Sequence, residues 1–492
     1  MKKFILIFVY FVLYISFACL TGQQAYSQQS ITWQRLYFNY QYLPNDSRAL
    51  CNADNLNFYV GGFIVDSVVN KRAGYVIKIN TFGDTIWTRK VYLDIATYIY
   101  AMATTIDSGC VVTGEAGYAY AAKIDKFGNL VWQIKYDTSN TWILCFDIKS
   151  LNDNKYLMCG ENIFYYSGYL LKINSNGEKI WLKEYKSNPE FVIFTVDNSN
   201  DSKYVVAGEG IQSINSPIQG FVMKLDTGGN TIWTKYYTIN NQSTSIHFIR
   251  KMDHYFVVSG IYYDTTVNNN GLFMAKIDFN GNLYFNKIYH FPKEEILNAF
   301  NVIGQNKLIY SLYFQHQYST DTFYTKIIIT DTMGNILHSR INYSSNEFYD
   351  NYNVLSAIQP CKNGDIIFFG DAKFSWSGPN IYGIRTDSIL NFPPIGIRPL
   401  SNTIVTKYLL LQNYPNPFNP STKIDFQVPK SSNVKITVYD ILGREVATLV
   451  NEKLSAGKYE VQWNALKFAS GVYFYRIEAG QYTNVKKMVI LK

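Results

Sequence analysis

Between residues 57 and 386 short apolar runs alternate with polar turns, and two phrases recur in a fixed phase. One is an apolar strand that ends in glycine. It reads Phe58-Tyr59-Val60-Gly61-Gly62, Val111-Val112-Thr113-Gly114, Leu157-Met158-Cys159-Gly160, Val205-Val206-Ala207-Gly208 and Val257-Val258-Ser259-Gly260. Leu308-Ile309-Tyr310-Ser311 and Ile366-Ile367-Phe368-Phe369-Gly370 complete the set. The other phrase, Lys-apolar-Asp/Asn-x-x-Gly-Asp/Asn/Glu-x-x-Trp, starts at Lys78, Lys123, Lys172, Lys224 and Lys276, with Phe285 replacing Trp in the fifth copy. A degraded sixth copy keeps Asp331, Gly334, Asn335 and His338. Its glycines, from Gly83 through Gly128, Gly177, Gly229 and Gly281 to Gly334, are spaced 45 to 53 residues apart, the length of a four-stranded propeller blade. Seven strands of the glycine-ended kind predict seven blades.

The N-terminal strand fits the same scheme. Trp33-Gln34-Arg35-Leu36-Tyr37 matches Trp132-Gln133-Ile134-Lys135-Tyr136, an outer strand, yet no blade precedes it. The seventh repeat, reaching Tyr382 to Asp387, lacks its own outer strand. Pairing of 32–37 with 381–387 is therefore expected, which would close the ring and remove an open edge.

Past Asp387 the repeats stop, and Pro393, Pro394 and Pro399 mark a linker. From residue 408 the alternation resumes in another style. Val434, Ile436 and Val438 make one apolar face and Tyr459, Val461 and Trp463 another, with turns at Gly443, Gly457 and Gly471. The fold class expected is all-β, a seven-bladed β-propeller followed by a small immunoglobulin-like β-sandwich. At the other end, Met1-Lys2-Lys3 and the apolar run Phe4 to Leu20 read as a signal peptide, cleaved between Ser27 and Gln28. Expected boundaries are 1–27 for the signal, 28–392 for the propeller, 393–407 for the linker and 408–492 for the sandwich. No other segment is apolar enough for a transmembrane helix, so no span is expected in the mature chain.

Composition supports strands: aromatic residues make up 17% of the chain, as much as charged ones. The net charge of +8 divides into +2 on 1–27, +5 on 408–492 and near neutrality between them. No clustered basic face remains for a nucleic acid. Five cysteines follow the signal, an odd number without metal or redox spacing. Cys110 and Cys159 fall in apolar strands and are expected in the core; Cys51 and Cys361 could meet if the first and last repeats are neighbours.

Candidate chemistry is sparse. The residue after the strand-ending glycine is Glu115, Glu161, Glu209 and Asp371 in four repeats, and Phe63, Ile261 and Leu312 in the others. Symmetry would set those carboxylates at one radius as a ligand ring, unless each pairs across the sheet with Lys123, Lys172 or Lys224. Asp278-x-Asn280-Gly281-Asn282 resembles part of a calcium loop but has no closing Glu, so turn chemistry is preferred. The histidines share no metal spacing, and no nucleophile elbow or phosphate loop is present. No catalytic, metal-binding or cofactor-binding residue is assigned, and no cofactor is expected. A propeller can still draw catalytic groups from several blades, so a hydrolase or lyase stays open beside a noncatalytic binding, adhesion or scaffold role.

Two resemblances add to this reading. The Trp-containing phrase is similar to the tryptophan docking motif of quinoprotein-type propellers, without any match to quinone or haem sites. More specifically, 408–492 resembles the C-terminal sorting domain of the type IX (Por) secretion system of the Bacteroidetes and their relatives. The resemblance rests on Asn413-Tyr414-Pro415-Asn416-Pro417-Phe418-Asn419-Pro420, Val438 through Val446, Gly457 through Trp463, Gly471 through Arg476 and the tail Lys487-Met488-Val489-Ile490-Leu491-Lys492. It implies export across the inner membrane, folding in the periplasm, and passage of the outer membrane by machinery that reads this module. Release or surface attachment would follow. Gly443, Gly457, Gly471 and the tail Lys487, Met488, Val489, Ile490, Leu491 and Lys492 are the sorting elements it implies. The partners expected are that machinery and a glycan or protein ligand at the cell surface.

Overall fold

The computed structural model describes residues 32–491, apart from 38–41, 67, 94–95, 137–141, 187–189, 200, 214–215, 241, 265–268, 292–294, 315–323, 344–351, 374–379, 391–396, 402–406, 431, 455–456 and 466–467. The signal peptide, its cleavage site and Lys492 lie outside the described residues. Every regular element described is a β-strand, and no helix is long and apolar enough to cross a membrane.

From Tyr42 to Thr386 the strands form four-stranded antiparallel meanders, each strand pairing with the next in sequence. They open with the strands Tyr42–Asn52, Tyr98–Thr104, Ile143–Ser150, Glu190–Asn198, Thr244–Lys251, Glu295–Ile303 and Tyr352–Pro360. The second and third meanders are bridged at Leu144 opposite Glu115, which joins them into one eight-stranded sheet. The last has three strands of its own. Trp33–Tyr37 is the fourth, antiparallel to Asn380–Thr386, with Trp33 opposite Arg385 and Tyr37 opposite Ile381. No sheet closes on itself. Each opening strand lies beside the next in order, and Tyr352–Pro360 lies beside Tyr42–Asn52.

What binds sheet to sheet is a repeated clamp on the Asp/Asn-x-x-Gly turn. In each turn the Asp or Asn side chain caps the backbone: Asp125 Oδ1 accepts from the amides of Phe127 and Asn129, both at 2.8 Å. Asp278 is consumed in the same way by Asn280 and Asn282, which accounts for the calcium-like spacing as turn chemistry. The turn then lies beneath the outer strand of the preceding sheet. Indole N–H groups donate to its backbone from Trp33 to Thr81, Trp87 to Lys126, Trp132 to Ser175 and Trp181 to Thr227. Four residues further on, Tyr37, Tyr136, Tyr185, Tyr237 and Tyr289 donate to the carbonyls of Gly83, Gly177, Gly229, Gly281 and Gly334 at 2.6–2.8 Å. Where Val91 occupies the tyrosine position, Arg89 Nε donates to the carbonyl of Gly128 instead. The turn glycine must be glycine on two counts: its φ is positive, and a Cβ on Gly177 would stand 3.0 Å from the Trp132 ring.

A second tyrosine set fills the sheets. Tyr59, Tyr120, Tyr169, Tyr310 and Tyr382 are fully buried. The last and first sheets share a core that includes Trp33, Val60, Ile77, Ile367 and Phe369. Arg385 crosses the same junction, paired with buried Asp365 at 2.9 Å and donating to the Thr81 carbonyl. The described thiols are all free, so Cys51 and Cys361 are not bridged. Burial pushes Cys51 up to about 12 and Cys361 to about 11.

The C-terminal module has two four-stranded antiparallel sheets over one core, which takes in Ile424, Phe426 and Trp463 from one and Ile436, Tyr475 and Ile490 from the other. Ile397–Ser401, within the segment expected as a linker, is an edge strand of the first sheet, paired with Gly457–Asn464. An edge tolerates Pro399, which has no amide to donate.

Candidate functional site

Every opening strand carries a β-bulge at the same place. The register skips one residue at Arg48, Tyr100, Phe146, Phe194, His247, Asn298 and Ser356. The skipped residue has no partner across the ladder, and the bulge re-aims its side chain. This is also why the neighbouring strand ends in glycine. A Cβ on Gly160 or Gly208 would stand 1.8 Å from the carbonyl oxygen of Leu144 or Val192, which the bulge pushes toward it. The sixth repeat has Leu312 at this position, opposite Leu297, so the residue equivalent to Glu115 is Tyr313 and not Leu312. Without a glycine to mark the phase, sequence alignment slips by one.

Six of the bulged residues, all but Asn298, face one cavity of about 380 Å³ that is walled by all the opening strands. Its lining is divided. Tyr100, Phe146, Phe194 and His247 follow one another around one arc, with ring centroids 5.5 Å apart for Phe146 and Phe194 and 5.1 Å apart for Phe194 and His247. Burial lowers the His247 imidazole to about 4, so it is neutral at physiological pH. Neither of its ring nitrogens has a hydrogen-bond partner among the described residues. The other arc is polar. Asn298 Nδ2 donates to Ser356 Oγ at 3.1 Å, and the Arg48 guanidinium sits 4.9 Å over the Tyr100 ring.

Charges along the cavity are balanced. The Tyr100 hydroxyl donates to Glu115 at 2.5 Å. Asp147 accepts from Thr195 Oγ1 and the Val196 amide, and Lys149 pairs with Asp197 at 2.5 Å. Burial alone would raise the Asp197 carboxyl; the nearby Lys149 and Arg250 charges outweigh it and hold the group below its ordinary range.

Of the carboxylates singled out in sequence, the structure brings Glu161 and Glu209 into electrostatic contact, together with Glu190, which the repeats did not reveal. Burial raises Glu161, and repulsion from Glu190 and Glu209 adds to it. Burial raises Glu209 as well, with Glu190 adding repulsion. Glu115 is engaged by Tyr100 instead, and Asp371 lies near Tyr313. The expected cross-strand lysine pairs do not form. Lys123, Lys172 and Lys224 stand opposite Val111, Leu157 and Val205, four residues along the strand from each Glu. At about 3.4 Å per residue that is roughly 14 Å, far beyond an ion pair. Lys123 pairs with Asp107 and Lys224 with Asp201, while Lys172 donates to the Tyr204 hydroxyl. Among the described residues no cluster of three His, Cys, Asp or Glu side chains is arranged to hold a metal ion.

In the C-terminal module the opening segment and the tail hold one another. Asn416 Oδ1 accepts from the Val489 amide, Phe418 exchanges backbone bonds with Val489 and Leu491, and Gln412 donates to the Lys487 carbonyl. Met488 and Ile490 are buried. Gly457 lies on the Tyr459 ring, Gly471 begins the strand that pairs with the tail, and Gly443 closes an Asp440-capped turn. Unlike the propeller-like turns, this one has nothing over it among the described residues. No atom lies within 4 Å of a Cβ on Gly443, and Ile441 and Leu442 are 70% and 72% exposed.

Comparisons with known proteins follow the same division. A Bacteroides caccae protein of unknown function is 12% identical, with TM-score 0.37, over 61% of this chain and 94% of its own. The β-propeller domain of the Trilobed protease from Pyrococcus furiosus is 9% identical, with TM-score 0.43, over 72% and 99%. The acylaminoacyl peptidase of Pyrococcus horikoshii is 9% identical, with TM-score 0.40, over 79% and 59%. No curated protein matches the chain. Residues 412–491 match the family described as the secretion system C-terminal sorting domain, so the module at the end of this chain is of the kind that addresses a protein to the type IX machinery for export to the surface or beyond.

Proposed function

We propose that residues 28–392 form a seven-bladed β-propeller fastened by the N-terminal strand, and that the exported protein is a noncatalytic binding module of the cell surface. On this reading cleavage follows Ser27, and 408–492 is an immunoglobulin-like sandwich. Its sorting elements are Gly443, Gly457, Gly471 and the tail Lys487 to Lys492. The observation that carries the binding role is the set of bulges: six of the seven repeats turn the bulged side chain toward one cavity, and those six are Arg, Tyr, Phe, Phe, His and Ser, not one repeated residue. Packing alone would have repeated one residue, as it does at the Trp clamp. The cavity offers poor catalysts, because burial makes its imidazole a weak base and Asp147 is held by Thr195 and Val196.

A secreted hydrolase or lyase is the second reading, and the raised Glu161 and Glu209 carboxyls favour it, since carboxyls displaced upward by burial and by one another are a common feature of acid-base sites. Binding arrays of glycans and proteins, run beside a broad hydrolase screen, separate the two. Turnover abolished by Glu161→Gln would sink the noncatalytic role. Deleting 408–492 should strand the protein in the periplasm, and normal surface display of that truncation would refute the sorting role.

A further inference from the structure

We infer that the cavity ringed by the bulged residues binds the end of an uncharged saccharide, its ring face against Phe146 and Phe194 and its hydroxyls toward His247 and Ser356. This rests on the binding-module reading and names its ligand class.

The lining selects by exclusion. An anion finds no surplus positive charge, because Lys149 is paired with Asp197, Arg250 shares that carboxylate's field, and Arg48 lies over Tyr100, whose hydroxyl is bonded to Glu115. A cation meets no carboxylate that is without a partner, since Asp147 already accepts from Thr195 and Val196. A wholly apolar ligand would cover polar groups without replacing their hydrogen bonds, a penalty for every group left dry. What remains is a ligand with an apolar face and a rim of groups that both donate and accept. A pyranose ring has both, since its axial C–H groups make one face apolar and its hydroxyls ring the edge.

The side chains match that description position by position. Phe146 and Phe194 are partly exposed to the cavity and 5.5 Å apart, which presents an apolar wall. A neutral imidazole has one donor and one acceptor nitrogen, the same dual character as a hydroxyl, and those of His247 have no partner among the described residues. Ser356 Oγ is oriented from behind by Asn298. The volume of about 380 Å³ falls in the range of small-ligand sites and suits a chain end, not a long polymer lying across the ring.

The test uses the exported full-length chain on an array of oligosaccharides ending in glucose, galactose, mannose or N-acetylglucosamine, with sialylated and sulfated counterparts of each. Binding to one or more of the neutral set is expected, and titration calorimetry should find it unchanged between low and high salt. Phe194→Ala and His247→Ala should each weaken it about tenfold. Tyr284→Ala, on the exposed outer strand Leu283–Tyr289, should leave it unchanged. Binding confined to charged glycans, affinity that falls steeply with salt, or equal losses in Tyr284→Ala would overturn the assignment. Silence on every saccharide with capture of a protein on the parallel array would sink the ligand class and leave the binding module standing. Release of reducing ends from a bound saccharide would sink the noncatalytic reading itself.

Discussion

Removing the Trp33 indole tests whether the N-terminal strand fastens the repeats. Trp33 has no exposed surface, and it packs against Phe369 with ring centroids 6.2 Å apart. Its indole N–H donates to the Thr81 carbonyl at 3.0 Å. Trp33→Ala removes a large buried side chain, at about 3–5 kcal/mol for such truncations. The lost hydrogen bond adds little, because Arg385 still donates to the Thr81 carbonyl. We expect a loss of about 4 kcal/mol, capped by whatever it costs to detach the strand alone. Urea unfolding of the exported protein measures the total. Hydrogen exchange locates it: the amides of Ile381–Arg385 that face the N-terminal strand should lose protection first, before those of the central sheets. A loss under about 1 kcal/mol with protection retained at 381–385 would refute the fastening role.

Other expectations follow from the same geometry. The folded-state affinity of Glu161 and Glu209 for protons is raised. Their contribution to stability is therefore present below the ordinary carboxylate range and lost as pH rises above it. Glu161→Gln should accordingly be near neutral at pH 4 and stabilising at pH 8 in paired thermal melts, and the opposite trend would contradict the burial argument. Gly177→Ala places a Cβ against Trp132 at a φ of +83°, and should cost roughly 2 kcal/mol or more by chemical unfolding. Cys51, Cys145 and Cys361, held at about 11–12 by burial, should resist iodoacetamide at pH 8 in the native protein and react on unfolding; mass spectrometry reads both states.

Much of the architecture was legible because its punctuation is local. A Trp seven residues after the Asp or Asn of an apolar-Asp/Asn pair, with glycine between, repeats because the turn needs a positive φ and the neighbouring sheet needs room for an indole. The candidate site was not legible, for a physical reason. A bulge is set by backbone register, so Arg48, Tyr100, Phe146 and His247 share a position without sharing a type. Its only trace in sequence was indirect, in the glycines crowded by a bulged carbonyl, and Leu312 shows how a missing one shifts the alignment. The recurrence of Lys beside Glu misled in a similar way. Both occur together in three successive repeats, but the register holds them at opposite ends of the strand.

The clamp also has a direction. Each sheet grips the turn that follows it, so the indole and tyrosine with which the last sheet grips the first come from Trp33 and Tyr37, on a strand that precedes all the repeats in sequence. The Tyr382 hydroxyl meets Gln34 across 348 positions of chain, and closing a loop of that length is entropically the costliest contact in the repeats. Until it forms, Asn380–Thr386 is a bare edge, open to pairing with another chain. The interval between export and strand capture is thus when this protein is most exposed to aggregation and proteolysis, and a mutation at Trp33 would lengthen that interval as well as shorten the life of the completed last sheet.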